Sequence, residues 1–68
     1  MLEQHLTQAE EHVALGERHI ARQRELVAEL EREGHDTVEA RRLLANFDDL
    51  QLMHIEGRDR LRRKLGLL

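Results

Sequence analysis

Apolar residues recur along this chain at steps of three and four, the spacing that lines one face of an α-helix. In the first half the repeat runs from Leu2 to Leu30 with alternating steps, a heptad pattern kept for about four heptads. We call this line of positions the seam; two of its members, Gly16 and Gln23, are not apolar. The pattern predicts a long helix over about residues 2–33.

The same rhythm returns in the second half of the chain. The seam positions predicted there are Ala40, Leu43, Phe47, Leu50, His54, Gly57, Leu61, Leu65 and Leu68. Glu, Arg, Leu, Ala and Gln are abundant and favour helices, and no stretch alternates apolar and polar residues as a half-buried strand does. We therefore predict a second helix over about residues 37–65 and an all-α fold.

The segment LEREGHDTVEA separates the two periodic stretches. Gly34 stands where a residue with positive φ commonly closes a helix. Asp36 suits the N-cap of the next helix, and Glu39, three residues later, would complete a capping box. A turn at residues 34–36 is short enough to make the helices antiparallel neighbours. The chain, residues 1–68, is predicted to be one coiled-coil-like helical hairpin.

Charge and shape suggest how the two helices face each other. Numbers of facing residues that sum to about 70 would pair Ile20 with Leu50 and Gly16 with His54. Residues 1–17 contain four Glu and no Lys or Arg, whereas the basic run RDRLRRK would lie opposite them. Each exposed ion pair is worth well under about 1 kcal/mol, but together they favour this choice of neighbour.

Two helices make one seam, and the second helix carries apolar residues outside it. We predict that these form an oligomer interface: Leu44, Leu52, Met53 and Ile55. A contiguous apolar stripe needs cover, and two hairpins packed into an antiparallel four-helix bundle would provide it in a homodimer. A larger assembly, or a complex in which an amphipathic helix of another protein covers the stripe, remains the alternative.

Five histidines are the most distinctive chemical feature of the chain. His5, His12 and His19 recur every seven residues beside the first seam, and His54 lies in the second. Since imidazole binds zinc, nickel and copper, His12, His19 and His54 form a candidate transition-metal site. No two histidines are three or four residues apart, however, so neither helix supplies a local chelate.

Two other roles for the polar seam residues stay open. If His54 is buried, its protonation below about pH 6.5 would reduce stability unless a carboxylate is near. His54 and Gln23 would alternatively fix the helix register and the number of partners, as polar residues in helical seams do.

Composition narrows the function further. Net charge is −3, and cysteine, serine, proline, tryptophan and tyrosine are absent. The usual nucleophiles are therefore missing, and we expect no enzyme. RDRLRRK would face the acidic first half of the chain, so nucleic-acid binding is not expected. No apolar run approaches the roughly 20 residues that cross a bilayer, and the N-terminus lacks signal-peptide features. We expect a cytoplasmic protein without a membrane partner.

Residues 16–65, with the turn GHDT as their most specific element, resemble small uncharacterised helical-hairpin (coiled-coil) proteins of alphaproteobacteria. The resemblance implies a bacterial cytoplasmic setting but no activity and no functional residues. The sequence therefore predicts a protein–protein association module, a small scaffold or regulator acting through helix faces. The alternative is a histidine-based metal-binding helical protein, with a transition metal such as zinc as its cofactor.

Overall fold

Two antiparallel helices packed side by side make up the chain in the computed structural model, which describes residues 1–67. The predicted seam position Leu68 lies outside the described residues. Helix α1 spans Leu2–Arg32 and helix α2 spans Val38–Lys64. Residues 1–67 contain no strand. The hairpin is a rod that measures 49 × 17 × 14 Å. The predicted all-α fold, with two helices packing against each other, is confirmed.

Helix α1 ends in a glycine turn that starts the chain reversal. Gly34 has a φ of 74°, a conformation that residues with a Cβ rarely adopt. Its amide donates to the Glu31 carbonyl at 3.1 Å, and the His35 amide donates to the Leu30 carbonyl at 2.9 Å. These two bonds form a Schellman motif and satisfy carbonyls that the helix end leaves unpaired. The prediction for Gly34 is confirmed.

Helix α2 begins differently from the prediction. Its N-cap is Thr37, whose side chain makes no capping hydrogen bond. The Val38 amide instead donates to Asp36 Oδ1 at 3.0 Å. The Glu39 carboxylate accepts from Arg42 one turn ahead and does not reach back. The predicted capping box is wrong, because the N-cap is Thr37 instead of Asp36 and Glu39 therefore stands at the second helical position, where the box requires the third.

The C-terminus of α2 repeats the motif that ends α1. Gly66 also has a φ of 74°, and its amide donates to the Arg63 carbonyl at 3.1 Å. The Leu67 amide donates to the Arg62 carbonyl at 2.8 Å. The same local chemistry therefore ends both helices, and at the second site it orders the chain as far as Leu67.

The seam of α2 differs from the predicted one by a rotation about the helix axis. Leu43 and Leu50 are 43% and 50% exposed, whereas Leu44 is half-buried and Gln51 is only 7% exposed. The prediction that Leu43 and Leu50 lie in the seam is wrong. Residues 40, 44, 47 and 51 follow one another at spacings of three and four, as residues 40, 43, 47 and 50 also do. Periodicity alone is therefore compatible with two different seams on α2.

The partners across the seam also differ from the prediction. Gln51 packs against Gly16, His54 lies beside His12, and Phe47 lies beside His19. The numbers of these facing residues sum to 66 or 67, whereas those of the three ion pairs between the helices, Glu10–Arg62, Arg24–Asp48 and Glu31–Arg41, sum to 72. Because the sums fall on both sides of the predicted 70, the changed partners follow from the rotation of α2 and not from an axial shift of a full turn.

The hairpin buries little of its own surface. Its buried apolar side chains are Leu6, Val13 and Val27, and no large side chain in residues 1–67 is fully buried. The accessible surface is 5325 Å². A folded monomer of 8.0 kDa is expected to expose about 4,500 Å². The excess is large for so small a chain and includes many apolar side chains.

Candidate interaction face

Two glutamines join the helices through hydrogen bonds to backbone carbonyls. Gln23 of α1 donates from Nε2 to the Ala40 carbonyl at 2.9 Å. Gln51 of α2 donates from Nε2 to the Val13 carbonyl at 2.8 Å. Both side chains are nine-tenths buried. Each helix thus contributes one amide to the backbone of the other, which links the helices at two levels of the rod.

Gly16 creates the space for the Gln51 side chain. A Cβ atom added at Gly16 would lie 2.8 Å from the Gln51 Cδ atom and would overlap Oε1. That Oε1 atom is buried and accepts no hydrogen bond from residues 1–67. A glycine inside a helix costs about 1 kcal/mol relative to alanine, so Gly16 is a sequence signal for close packing. Its partner, however, is Gln51 and not the predicted His54.

The structure divides the three candidate metal ligands between two contacts. The rings of His12 and His54 have centroids 5.5 Å apart. His19 lies instead 5.8 Å from the Phe47 ring. His54 is half-buried, and His12 and His19 are exposed. Two of the three histidines therefore come together, and the third lies about two helical turns away along α1.

The remaining histidines lie outside this cluster. His5 and His35 are exposed, and His35 Nε2 lies 3.5 Å from a Glu33 carboxylate oxygen. Residues 1–67 contain no group of three or more His, Cys, Asp or Glu side chains placed to hold a metal ion. The pair His12 and His54 would supply two ligands to a metal that takes the rest from elsewhere.

A shallow groove of about 340 Å³ runs beside the histidine pair, in the half of the rod near the termini. It is lined by Ala9, His12, Met53, His54, Gly57, Arg60, Leu61 and Lys64. The lining combines apolar surface with two basic side chains, and no carboxylate contributes to it. The groove beside the histidine pair is therefore electropositive.

A second, wider groove lies in the half of the rod near the turn. Its lining residues are Leu15, Arg18, His19, Ala21, Arg22, Gln23, Glu25, Leu26, Glu29 and Phe47. Leu15 and Leu26 are 44% and 42% exposed there. Unlike the first groove, this one carries charges of both signs, Glu25 and Glu29 together with Arg18 and Arg22.

Both grooves open on the same long side of the hairpin. His12 in one and His19 in the other are seven residues apart on α1, which separates them by only about 20° around the helix. On α2, Leu43 and Leu50 continue the same seven-residue column from Gly57. We call this surface the histidine–leucine side; it comprises His12, Leu15, His19, Leu26, Leu43, Leu50, Met53 and Gly57.

The opposite long side carries ion pairs between the helices. Arg62 donates to Glu10 at 3.0 Å, Arg24 and Asp48 are 4.0 Å apart, and Arg41 contacts Glu31. In each helix the three residues are separated by multiples of seven, so they form one column. We call this surface the ion-pair side; it comprises Glu10, Arg24, Glu31, Arg41, Asp48 and Arg62.

The four predicted interface residues do not share one surface. Leu44 is half-buried in the seam. Ile55 is half-buried and lies seven residues from Asp48, on the ion-pair side, with the 58%-exposed Leu52 beside it. Met53 is 65% exposed and lines the groove of the histidine–leucine side. Leu26 and Leu50 are exposed on that side but were not among the predicted interface residues. Their spacing could have indicated them, because Leu26 follows His19 by seven residues and Leu50 precedes Gly57 by seven.

The basic cluster near the C-terminus is split between the two sides. Arg62 pairs with Glu10, and Arg58 bonds the neighbouring Asp59 at 3.1 Å. Arg60 and Lys64 instead line the groove on the histidine–leucine side. The cluster therefore does not present one continuous basic surface.

Comparison of the chain with protein-family models, with curated proteins and with solved structures yields no match. Within residues 1–67, neither helix has a stretch apolar and long enough to cross a membrane.

Proposed function

We propose that this protein is a protein–protein association module, a small scaffold or regulator that acts through helix faces and forms a homodimeric four-helix bundle. The observation that carries the proposal is the asymmetry of the hairpin. One side is crossed by ion pairs between the helices, whereas Leu15, Leu26, Leu43, Leu50 and Met53 are 42–65% exposed on the other. Exposed apolar patches of this kind mark interaction sites.

The energetics support a second hairpin as cover. Burying the exposed part of each of these side chains is worth about 1 kcal/mol. Ten such side chains in two hairpins would contribute about 10 kcal/mol, which is comparable with the 4–15 kcal/mol estimated for the lost freedom of two associating molecules. Contacts at the seam edges, including the rings of His12 and His19, add to this.

Sedimentation equilibrium over a wide concentration range tests the proposal with a matched pair of variants. Leu50→Glu places a charge on the histidine–leucine side. Leu52→Glu places the same charge at a similarly exposed position of α2 outside that side. We expect the wild type and Leu52→Glu to be dimers at low micromolar concentration and Leu50→Glu to be a monomer. A monomeric wild type, or equal effects of both variants, contradicts the proposal.

Metal binding is a second candidate function, favoured by the 5.5 Å separation of the His12 and His54 rings. Two imidazoles on adjacent helices suit zinc or nickel when further ligands come from water or from a second copy. Calorimetric titration of metal-free protein with zinc tests this role. Binding that His12→Ala abolishes and His35→Ala leaves intact would support it, and the absence of binding heat together with an unchanged thermal midpoint would contradict it.

A further inference from the structure

The histidine–leucine side carries opposite charges at its two ends. Glu29 lines the groove near the turn, and Glu33, the C-cap of α1, continues the seven-residue column of Leu26 beyond it. Arg60 and Lys64 line the groove near the termini. The rod is 49 Å long, so the acidic and basic ends are separated by most of that length.

The basic end has little compensation within the hairpin. Neither Arg60 nor Lys64 lies within 4.0 Å of a carboxylate in residues 1–67, although their neighbours Arg58 and Arg62 are both paired. At the acidic end, Glu33 contacts only the exposed His35. Charges at both ends are thus open to partners from another molecule.

We propose that a second copy of the hairpin docks on the histidine–leucine side with its turn at the opposite end. This inference rests on the proposed homodimer and adds its orientation. A two-fold axis perpendicular to the rods, near His19 and Leu50, brings the acidic turn end of each hairpin onto the basic end of the other. The alternative, with both turns at one end, would place Glu29 and Glu33 against their own copies.

The size of the surface fits this partner. A face of 49 by 17 Å covers roughly 800 Å², about what each partner buries in a standard specific interface. Its central part carries Leu15, Leu26 and Leu50 with Arg18 and Arg22 beside them, and its ends are charged. Apolar residues towards the centre and charges at the rim are the arrangement that specific interfaces show. Opposite charges at the rim orient the partner and penalise the reversed alignment.

Charge reversal tests the orientation. Arg60→Glu combined with Lys64→Glu makes both ends acidic, and we expect the dimer to weaken at least about tenfold at low salt. Adding Glu29→Lys and Glu33→Lys to the same chain exchanges the two ends and should restore the affinity. Arg63→Glu, an exposed basic position of the same helical turn outside the grooves, is the control. An unchanged affinity in the double variant, or no recovery in the quadruple one, overturns the proposed orientation.

A distance measurement separates failure of the orientation from failure of the homodimer. The chain has no cysteine, so His35→Cys provides a single site at the turn for a spin label. Double electron–electron resonance then measures the distance between the labels of two chains. Turns at opposite ends predict a separation near the 49 Å length of the rod. A separation of roughly 10–20 Å, set by neighbouring helices, overturns the orientation but keeps the dimer. A monomeric mass with no intermolecular coupling overturns both.

Discussion

The two long sides of the hairpin use the same two helices in opposite ways. On the ion-pair side, Glu10 with Arg62 and Arg24 with Asp48 satisfy each other within the chain. On the histidine–leucine side, Leu26, Leu43 and Leu50 are 42–50% exposed to solvent. Exposed ion pairs add little stability, but they select which helix is the neighbour. The ion-pair side thus helps to select the neighbouring helix within the chain, whereas the histidine–leucine side leaves apolar surface exposed.

Between these sides, the seam combines polar and apolar contacts. Gln51 reaches the Val13 carbonyl across a space that Gly16 leaves open. Apolar side chains alone would tolerate sliding by one heptad, about two helical turns, because the pattern repeats with that period. A glutamine amide that bonds a particular carbonyl does not tolerate it. The seam thus sets the register on which the composition of both sides depends.

The largest expected effect comes from making the histidine–leucine side polar. We consider the triple variant with Leu26→Gln, Leu43→Gln and Leu50→Gln. Its helix propensity changes little, because leucine and glutamine rank close together on the propensity scale. The free energy of unfolding should fall by about 3 kcal/mol, since three apolar side chains lose their cover. The thermal midpoint of the wild type should rise with protein concentration, and that of the variant should not.

Circular dichroism melts at several protein concentrations measure this difference. Leu52→Gln, an exposed leucine away from that side, should change the free energy by no more than about 0.5 kcal/mol. A triple variant that keeps the wild-type concentration dependence would show that the histidine–leucine side is not covered by a second chain.

Two glycines of similar helical setting should respond differently to alanine. Nothing lies within 4 Å of a Cβ added at Gly57, so Gly57→Ala should stabilise the helix by about 1 kcal/mol. Gly16→Ala would displace the Gln51 amide and break its bond to Val13, a loss of about 1 kcal/mol that offsets any propensity gain. Urea denaturation of both variants at low protein concentration should therefore show a clear difference. Equal free energies of unfolding for the two variants would contradict the contact between Gly16 and the Gln51 side chain.

The smallest expected effect belongs to the ion-pair side. A double-mutant cycle with Glu10→Gln and Arg62→Gln should give a coupling energy of about 0.5 kcal/mol, which added salt reduces. The mass in solution should stay unchanged, because these residues act within one hairpin. If the same changes dissociate the dimer, the ion-pair side also takes part in the interface, and the contrast between the two sides is incorrect.

Local chemistry made some of these features predictable from the sequence and left others open. The helices and the glycine turn at Gly34 follow from residues close to one another, whose spacing and φ preferences act locally. The capping box at Glu39 failed because the helix begins one residue later than predicted, which puts Glu39 at its second position instead of its third. The candidate metal ligands were brought together only in part, because His54 lies beside His12 and Phe47 lies beside His19.

The sequence by itself determined that this chain is a pair of helices joined by a glycine turn, because heptad spacing and turn residues act over a few positions. Only the tertiary structure decided how α2 is rotated about its axis. Leu43 or Leu44, and Leu50 or Gln51, satisfy the same periodicity, and each adjacent pair differs by about 100° around the helix. The fit of Gln51 against Gly16 accompanies one of these rotations, and that rotation leaves Leu43 and Leu50 on the outside.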